Sequence, residues 1–468
     1  MSLFRSTIWY TIGNLFSRSL SFILLPFYSN LIPVDEYGTY SLIMACYVIF
    51  SALYQGGLYS AFTKYYFETE EEEERKRLFS TLFFFITSVS LIISVSLNLF
   101  NKELSVLIFS NDDGSVLIRY IIWILFVDTL FYTILHLIKT QEKSQKVVYY
   151  TSISSVFNLV FNLFFVYYQH NGVLGIMQAQ LLSGIFSVFI IIPVLKNYLK
   201  LKMEKEALVK LLIFSLPLLI SGLLSTFVDI IDRFLLDKFL DKTAVGLYSF
   251  SYRIAMVMNL FVISFRTAWT PYSLRLYKKS SDLSYSLGLS FSKLLATSIL
   301  IFLITNCFID DLFRFKISDI SIFNIAYVGG IPIIPVIMIG YLFSGLSSFY
   351  SVYPYVANKS YHFLVSDLIA FIVNIVLNII LIPQMNLMGA ALATMISFIA
   401  GCIYLFIISR SIEIYYQRTE IIVFIIFGTL AFIITNYFKL LFIDIALLIS
   451  FSYLVFSLTG MKNVIMKS

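Results

Sequence analysis

Apolar runs of about 20 residues, each long enough for a helix to cross a bilayer, recur along nearly the whole chain, with polar residues gathered in short gaps between them. The pattern predicts fourteen spans, at 7–31, 40–62, 79–100, 117–138, 147–168, 173–195, 208–231, 245–269, 287–309, 328–352, 361–382, 388–409, 420–437 and 440–458. The expected fold is an all-α polytopic membrane protein. Spans 1, 7, 8 and 10 are the least regular, since each carries charge or proline. No connection is long enough for an extramembrane domain. The first run holds Arg18 and lacks a small-residue cleavage site, so it is expected to remain as a span.

Composition sharpens this. Apolar residues make up 59% of the 468 and charged residues 13%. A single soluble core cannot hide that much apolar surface, which excludes a cytosolic enzyme, a soluble secreted protein and a disordered chain. The net charge of +6 is spread over the loops, so nucleic-acid binding is not expected. With the N-terminus in the cytoplasm, 21 of the 33 Lys and Arg fall in inside segments and eight in outside ones. That bias predicts cytoplasmic termini at both ends. The acidic run Glu70–Glu74 beside Arg75, Lys76 and Arg77 reads as a solvated loop or surface helix. Cys46, Cys307 and Cys402 lie in apolar runs, and His136, His170 and His362 lie far apart, so neither a metal site nor a cofactor is expected.

The chain also repeats itself. Tyr37-Gly38-Thr39-Tyr40-Ser41 matches Val245-Gly246-Leu247-Tyr248-Ser249 at an offset of 208. Glu142-Lys143-Ser144 matches Asn358-Lys359-Ser360 at an offset of 216, which also brings Asn158 onto Asn374 and Asn162 onto Asn378. Gly172-Val173-Leu174-Gly175 and Leu387-Met388-Gly389-Ala390 follow in the two halves. Six spans used twice, in parallel orientation, suggest alternating access around a central substrate. The expected organisation is an N-lobe at 1–207, a C-lobe at 208–417 and two further spans at 418–468.

Polar residues inside spans are costly and should face protein or water. In span 1, Thr7, Thr11, Asn14, Arg18 and Ser21 share one helical face. Arg18 is either a cavity-facing cation for an anionic ligand or one half of a structural ion pair. Arg253 and Arg266 in span 8 lie about 140° apart around the helix, so both cannot point into one cavity. Arg253 is the better anion ligand, and Arg266 can snorkel to the cytoplasmic face. Lys293 opens span 9, where snorkelling and ligation are both open. Asp229 and Arg233 are spaced i,i+4 and form a candidate structural ion pair, unless one lies on the substrate path. Asp128 in span 4 and Asp367 in span 11 are expected to be buried, either coupling H+ or Na+ or pairing structurally. Asn158, Asn162, Asn374 and Asn378 suit helix-to-helix hydrogen bonding better than sugar binding. Pro26, Pro217, Pro332 and Pro335 fall within spans and can bend them.

Four stretches, Glu36–Glu68, Asp229–Ala255, Phe265–Tyr272 and Asn374–Ser397, together with the fourteen spans, resemble the multidrug/oligosaccharidyl-lipid/polysaccharide exporter superfamily. Within it the chain is similar to the bacterial polysaccharide flippases of the Wzx type, which serve O-antigen and capsule. That resemblance implies movement of an undecaprenyl-diphosphate-linked oligosaccharide across the cytoplasmic (inner) membrane by alternating access. Arg18, Arg253 and Lys293, with Asn14, are the positions that could then meet the diphosphate. Tyr54, Tyr59, Phe62, Tyr65 and Tyr66 could stack on sugar or anchor the interface. The implied partners are the lipid-linked oligosaccharide, membrane lipids and a coupling H+ or Na+. The chain itself would be a monomer, able to associate with polysaccharide polymerase and chain-length proteins. A drug antiporter of the same fold is the nearest alternative, although the spans hold more cations than such a cavity would suit. A membrane polymerase, ligase or glycosyltransferase is the other; Asp112-Asp113-Gly114 and Asp310-Asp311, on the outer connections, look like turn and cap residues instead.

Overall fold

The computed structural model describes residue 20 and residues 23–109, 114–200, 203–279, 283–317, 320–357, 359, 361–438 and 441–458. The first expected span lies mainly outside these, and its end, 23–31, is helical. The helices that follow are α1 (Val34–Gln55), α2 (Leu58–Glu68), α3 (Glu72–Leu99), α4 (Asn101–Phe109), α5 (Ser115–Thr140), α6 (Ser144–Asn162) and α7 (Gly172–Ile191). Then come α8 (Lys205–Phe239), α9 (Lys242–Lys279), α10 (Leu283–Arg314), α11 (Ile334–Tyr350), α12 (Val352–Val356), α13 (Tyr361–Ser409), α14 (Arg418–Phe438) and α15 (Leu441–Leu458). A π-helical turn, Leu163–Tyr168, prolongs α6, and a 3-10 segment, Ile325–Ile333, with Pro332 inside it, leads into α11.

Among the described residues, ten helical stretches are long and apolar enough to cross a membrane. One of them, α13, has 49 residues. As a single rod it would measure about 74 Å, more than twice the hydrocarbon thickness of roughly 30 Å. Asn386 breaks it, with φ 51° and ψ −128°, into the two expected spans. With α8 and α15, the described residues supply the second to fourteenth of the expected spans, and the architecture is the all-α one expected.

Helix ends differ from expectation where helix continues past the apolar run. The third span begins at Glu72, not 79, so part of the acidic run forms the first turn of α3, where negative charge suits the helix N-terminus. The second span is broken by Gly56 and Gly57, both at positive φ (57° and 70°), a conformation open to glycine without steric cost.

Two compact units divide the chain, residues 1–230 and 231–468, with the boundary inside α8. The lobe boundary expected at 207/208 falls near the start of that same helix. In the first unit α5 packs against α1, α3 and α7. Phe62, Phe79, Leu82, Leu137 and Leu211 form one of its buried clusters. In the second unit α11 packs against α9 and α13.

The repeat has a physical basis. In each half two consecutive spans fold back as a hairpin whose turn is closed by a glycine. A Cβ on Gly175 would stand 2.9 Å from the Phe165 carbonyl oxygen, and one on Gly389 only 2.2 Å from that of Leu381. Above the turns, Asn158 Nδ2 donates to Ser183 Oγ (3.4 Å), and Asn374 Nδ2 to Thr394 Oγ1 (3.5 Å). Asn162 and Asn378 donate to the Oδ1 of those same asparagines at 3.1 and 3.0 Å. The paired asparagines are helix-to-helix bonds in both halves.

The connection after α7 is tied to α3. Lys200 Nζ lies 3.0 Å from Glu73 Oε2, and the backbone N–H groups of Lys200 and Glu204 donate to Ser80 Oγ (2.7 Å) and Thr81 Oγ1 (3.0 Å). Lys200, and then Lys76, hold the Glu73 carboxyl below its usual range. The charged part of this tie is therefore present above the ordinary glutamate value and fades as pH falls through the acid range.

Candidate functional site

Asn14 and Arg18 lie outside the described residues. Arg253 is partly buried on α9 and Lys293 partly buried on α10. Lys293 has no ion-pair partner among the described residues. Arg266 is tied to the neighbouring helix: its Nε donates to Ser348 Oγ of α11 at 2.8 Å, and it is within electrostatic range of Asp367.

The two intramembrane carboxylates have different settings. Asp128 on α5 accepts a 2.6 Å hydrogen bond from the Tyr47 hydroxyl of α1 and lies beside Gln180 of α7. Asp367 was expected to be buried, and it is exposed. The reason is the line of the α13 hairpin. At this level the returning helix meets Ser366, whose Oγ donates to the Gly401 carbonyl at 3.2 Å, and Ala370, leaving Asp367 beside the seam.

The i,i+4 spacing pointed to Asp229 as the partner of Arg233. Asp232 also lies against the guanidinium, with Oδ1 3.2 Å from Arg233 Nη1 and accepting from the Arg233 backbone N–H at 2.9 Å. Asp229, one turn earlier on the same helix, is exposed and has a polar partner of its own. Adjacent side chains do not ordinarily face each other on a helix, so spacing alone gave no signal for this pair. Asp232 is 1% exposed. Its Oδ2 accepts from the Tyr248 hydroxyl at 2.5 Å, and the Arg233 guanidinium lies 4.8 Å from the Tyr252 ring centre. Tyr341 donates to the Tyr252 hydroxyl at 2.8 Å. This network joins α8, α9 and α11 within the second unit, with both charges paired and hydrogen-bonded as burial requires.

Of the aromatic phrase in the second span, Tyr54 and Phe62 are fully buried. Tyr54 shares a 2.8 Å hydrogen bond with Ser94, so neither ring is open to sugar or to the interface. Tyr59 stacks on His136 with ring centres 4.8 Å apart and planes 18° apart. Its hydroxyl is 3.0 Å from Thr133 Oγ1, and His136 Nε2 is 2.9 Å from Thr63 Oγ1. The three cysteines are free and buried. Among the described residues no cluster of three or more His, Cys, Asp or Glu could hold a metal ion.

With this geometry in hand, the chain can be compared with known proteins. A family model described as polysaccharide biosynthesis protein matches residues 3–277. A protein of the Lsg locus of Haemophilus influenzae is 23% identical over 286 residues. That match takes in 58% of this chain and spans 66% of the relative's length. Among solved structures, the lipid II flippase MurJ in an inward closed conformation is similar with a TM-score of 0.78 at 17% identity, over 98% of this chain and all of that one. An inward-facing multidrug resistance transporter of the MATE family is similar with a TM-score of 0.69 at 14% identity, over 84% and 94% of the two chains. At these identities the structural matches establish a shared fold.

Proposed function

Because the chain belongs to the polysaccharide biosynthesis protein family, we propose that it moves an undecaprenyl-diphosphate-linked oligosaccharide from the cytoplasmic to the outer leaflet of the bacterial inner membrane. The step would serve assembly of a cell-surface polysaccharide such as O-antigen, by alternating access and without enzymatic catalysis. The observation that carries this reading is the family match across residues 3–277 in a chain that shares its fold with a lipid II flippase along almost its full length. A drug antiporter is the second reading, favoured by the likeness to a MATE transporter. Deleting the gene separates the two. Accumulation of lipid-linked glycan on the cytoplasmic side supports the flippase; unchanged glycan with increased drug sensitivity supports the antiporter.

Arg18, Arg253 and Lys293, with Asn14, are proposed to meet the diphosphate. A charge-assisted contact of this kind contributes roughly 1.5–3 kcal/mol. Arg18→Ala is expected to lower glycan export about tenfold or more, with membrane abundance near normal. Arg18→Lys should keep part of the activity, because charge survives while the planar fork is lost. Arg253→Ala should be milder. Full export by Arg18→Ala in the deletion strain would remove Arg18 from the site. Asp229 is proposed to support Arg233 from the preceding turn. Coupling to H+ or Na+ is proposed for Asp367 rather than Asp128, since Asp367 is exposed beside Arg266 while Asp128 is already held by Tyr47.

Both termini are proposed to be cytoplasmic. Cysteines placed at Asp112 and Leu387 should then react with an impermeant thiol reagent applied outside, and one at Lys143 should not. Outside labelling at Lys143 would reverse the orientation.

A further inference from the structure

One face of the first unit joins an accessible carboxylate to rings at a depth where lipid would reject it. On α5, Asp128, Tyr132 and His136 are spaced i, i+4 and i+8, which keeps them within about 80° of one another around the helix. Tyr47 of α1 and Tyr59 of α2 approach this face from the two sides of the Gly56–Gly57 break, to Asp128 and His136 respectively. Gln180 of α7 completes it. Tyr132 lies inside the expected span and is 45% exposed. Its hydroxyl has no hydrogen-bond partner among the described residues. A carboxylate, an amide and an unpartnered phenol side by side cannot stand against acyl chains, so the face must meet water or a polar ligand.

The neighbouring contacts hold these groups still. Tyr59 and His136 are fixed at their edges by Thr133 and Thr63 and stack on each other. Asp128 is oriented by the Tyr47 hydroxyl, which takes part of its acceptor capacity, and Gln180 stands beside it. A rigid aromatic wall carrying a few aimed polar groups recognises a ligand with an apolar side and a hydrogen-bonding rim. A pyranose ring has that form, with C–H faces for the rings and hydroxyl pairs for the carboxylate and amide.

We propose that Tyr47, Tyr59, Asp128, Tyr132, His136 and Gln180 form a carbohydrate-binding face that holds the glycan of the lipid-linked substrate, apart from the cations assigned to its diphosphate. This rests on the flippase reading above and adds the location of the sugar. Tyr132 supplies a ring face and a free hydroxyl, and Asp128 accepts from sugar hydroxyls.

The test uses the full chain in lipid nanodiscs and three probes: the lipid-linked oligosaccharide extracted from a deletion strain, undecaprenyl diphosphate without sugar, and tetraphenylphosphonium. Tyr132→Ala and Asp128→Asn should each weaken binding of the glycan-bearing lipid tenfold or more and change binding of the bare lipid less than twofold. Tyr132→Phe, which keeps the ring, should lose two- to fivefold, so a general folding defect is separated from loss of the hydroxyl. Equal weakening of both lipids, or no weakening of the glycan-bearing one, overturns the carbohydrate face and leaves the flippase reading standing. If the wild-type chain binds neither lipid, both readings fall. Weakened binding of tetraphenylphosphonium, with the lipids unaffected, overturns the proposal in favour of a site for lipophilic cations.

Discussion

Asp232→Ala is expected to remove most of the protein from the membrane. The carboxylate is 1% exposed and meets Arg233 Nη1, the Arg233 backbone N–H and the Tyr248 hydroxyl. Its loss takes the Asp232 carboxylate away from a guanidinium that is only 13% exposed. Removing one partner of a buried pair costs about 3–5 kcal/mol, a large share of the roughly 5–15 kcal/mol that holds a typical domain folded. Tagged protein in isolated membranes should fall several-fold, and the purified remainder should unfold at lower temperature. Asp232→Asn, which keeps an oxygen for Tyr248, should be intermediate. Replacing both members, Asp232→Leu with Arg233→Met, should recover much of the loss, since no isolated charge remains. Wild-type abundance and unfolding temperature in Asp232→Ala would show that the pair does not hold the second unit together.

Gly389→Val should be nearly as severe for a steric reason. The first carbon of any side chain there would lie 2.2 Å from the Leu381 carbonyl oxygen and 2.4 Å from its carbon. The obstacle is backbone, so no rotamer change relieves it. The α13 hairpin must open, and the Asn374–Thr394 bond is lost with it. Forced overpacking costs about 1–3 kcal/mol where side chains can adjust, and here they cannot. Gly175→Val, with 2.9 Å to the Phe165 carbonyl, should be milder, and Gly329→Ala, with 3.6 Å to a Leu247 methyl, close to neutral. Membrane abundance measured across the three variants should follow that order. Equal abundance of Gly389→Val and Gly329→Ala would contradict the close approach.

The sequence carries the spans because a bilayer selects on local composition, and about 20 apolar residues are visible without knowing any neighbour. The duplicated hairpins are legible for a similar reason. Asn158, Asn162 and Ser183 lie close in the chain, as do Asn374, Asn378 and Thr394, so the contact leaves a local pattern in each half. Helix ends are less legible: α3 and α9 continue past their apolar runs, and nothing in hydropathy marks where a helix stops in water. The candidate site is hardest to foresee. Tyr47 and Asp128 are 81 positions apart, and Tyr59 and His136 are brought together by packing α2 on α5, which no periodicity within either helix reports. The Asp232–Arg233 pair escaped because geometry on an ideal helix argues against neighbours, and only the surrounding tyrosines make the arrangement worthwhile.

The asparagine hairpins also constrain how the chain enters the membrane as it is made. A single helix bearing Asn374 and Asn378 can satisfy Asn378 through Asn374 Oδ1, but it would bring the Asn374 amide into hydrocarbon without the partner its donor meets in the folded chain. Thr394, whose Oγ1 accepts from that amide, is not synthesised until the next span emerges. The two spans of α13 are therefore expected to leave the insertion channel as a pair, already bonded to each other. The same holds for α6 and α7, where Asn158 waits for Ser183. Biogenesis of each half would then pause at a corresponding point, with one helix retained at the channel until its successor arrives.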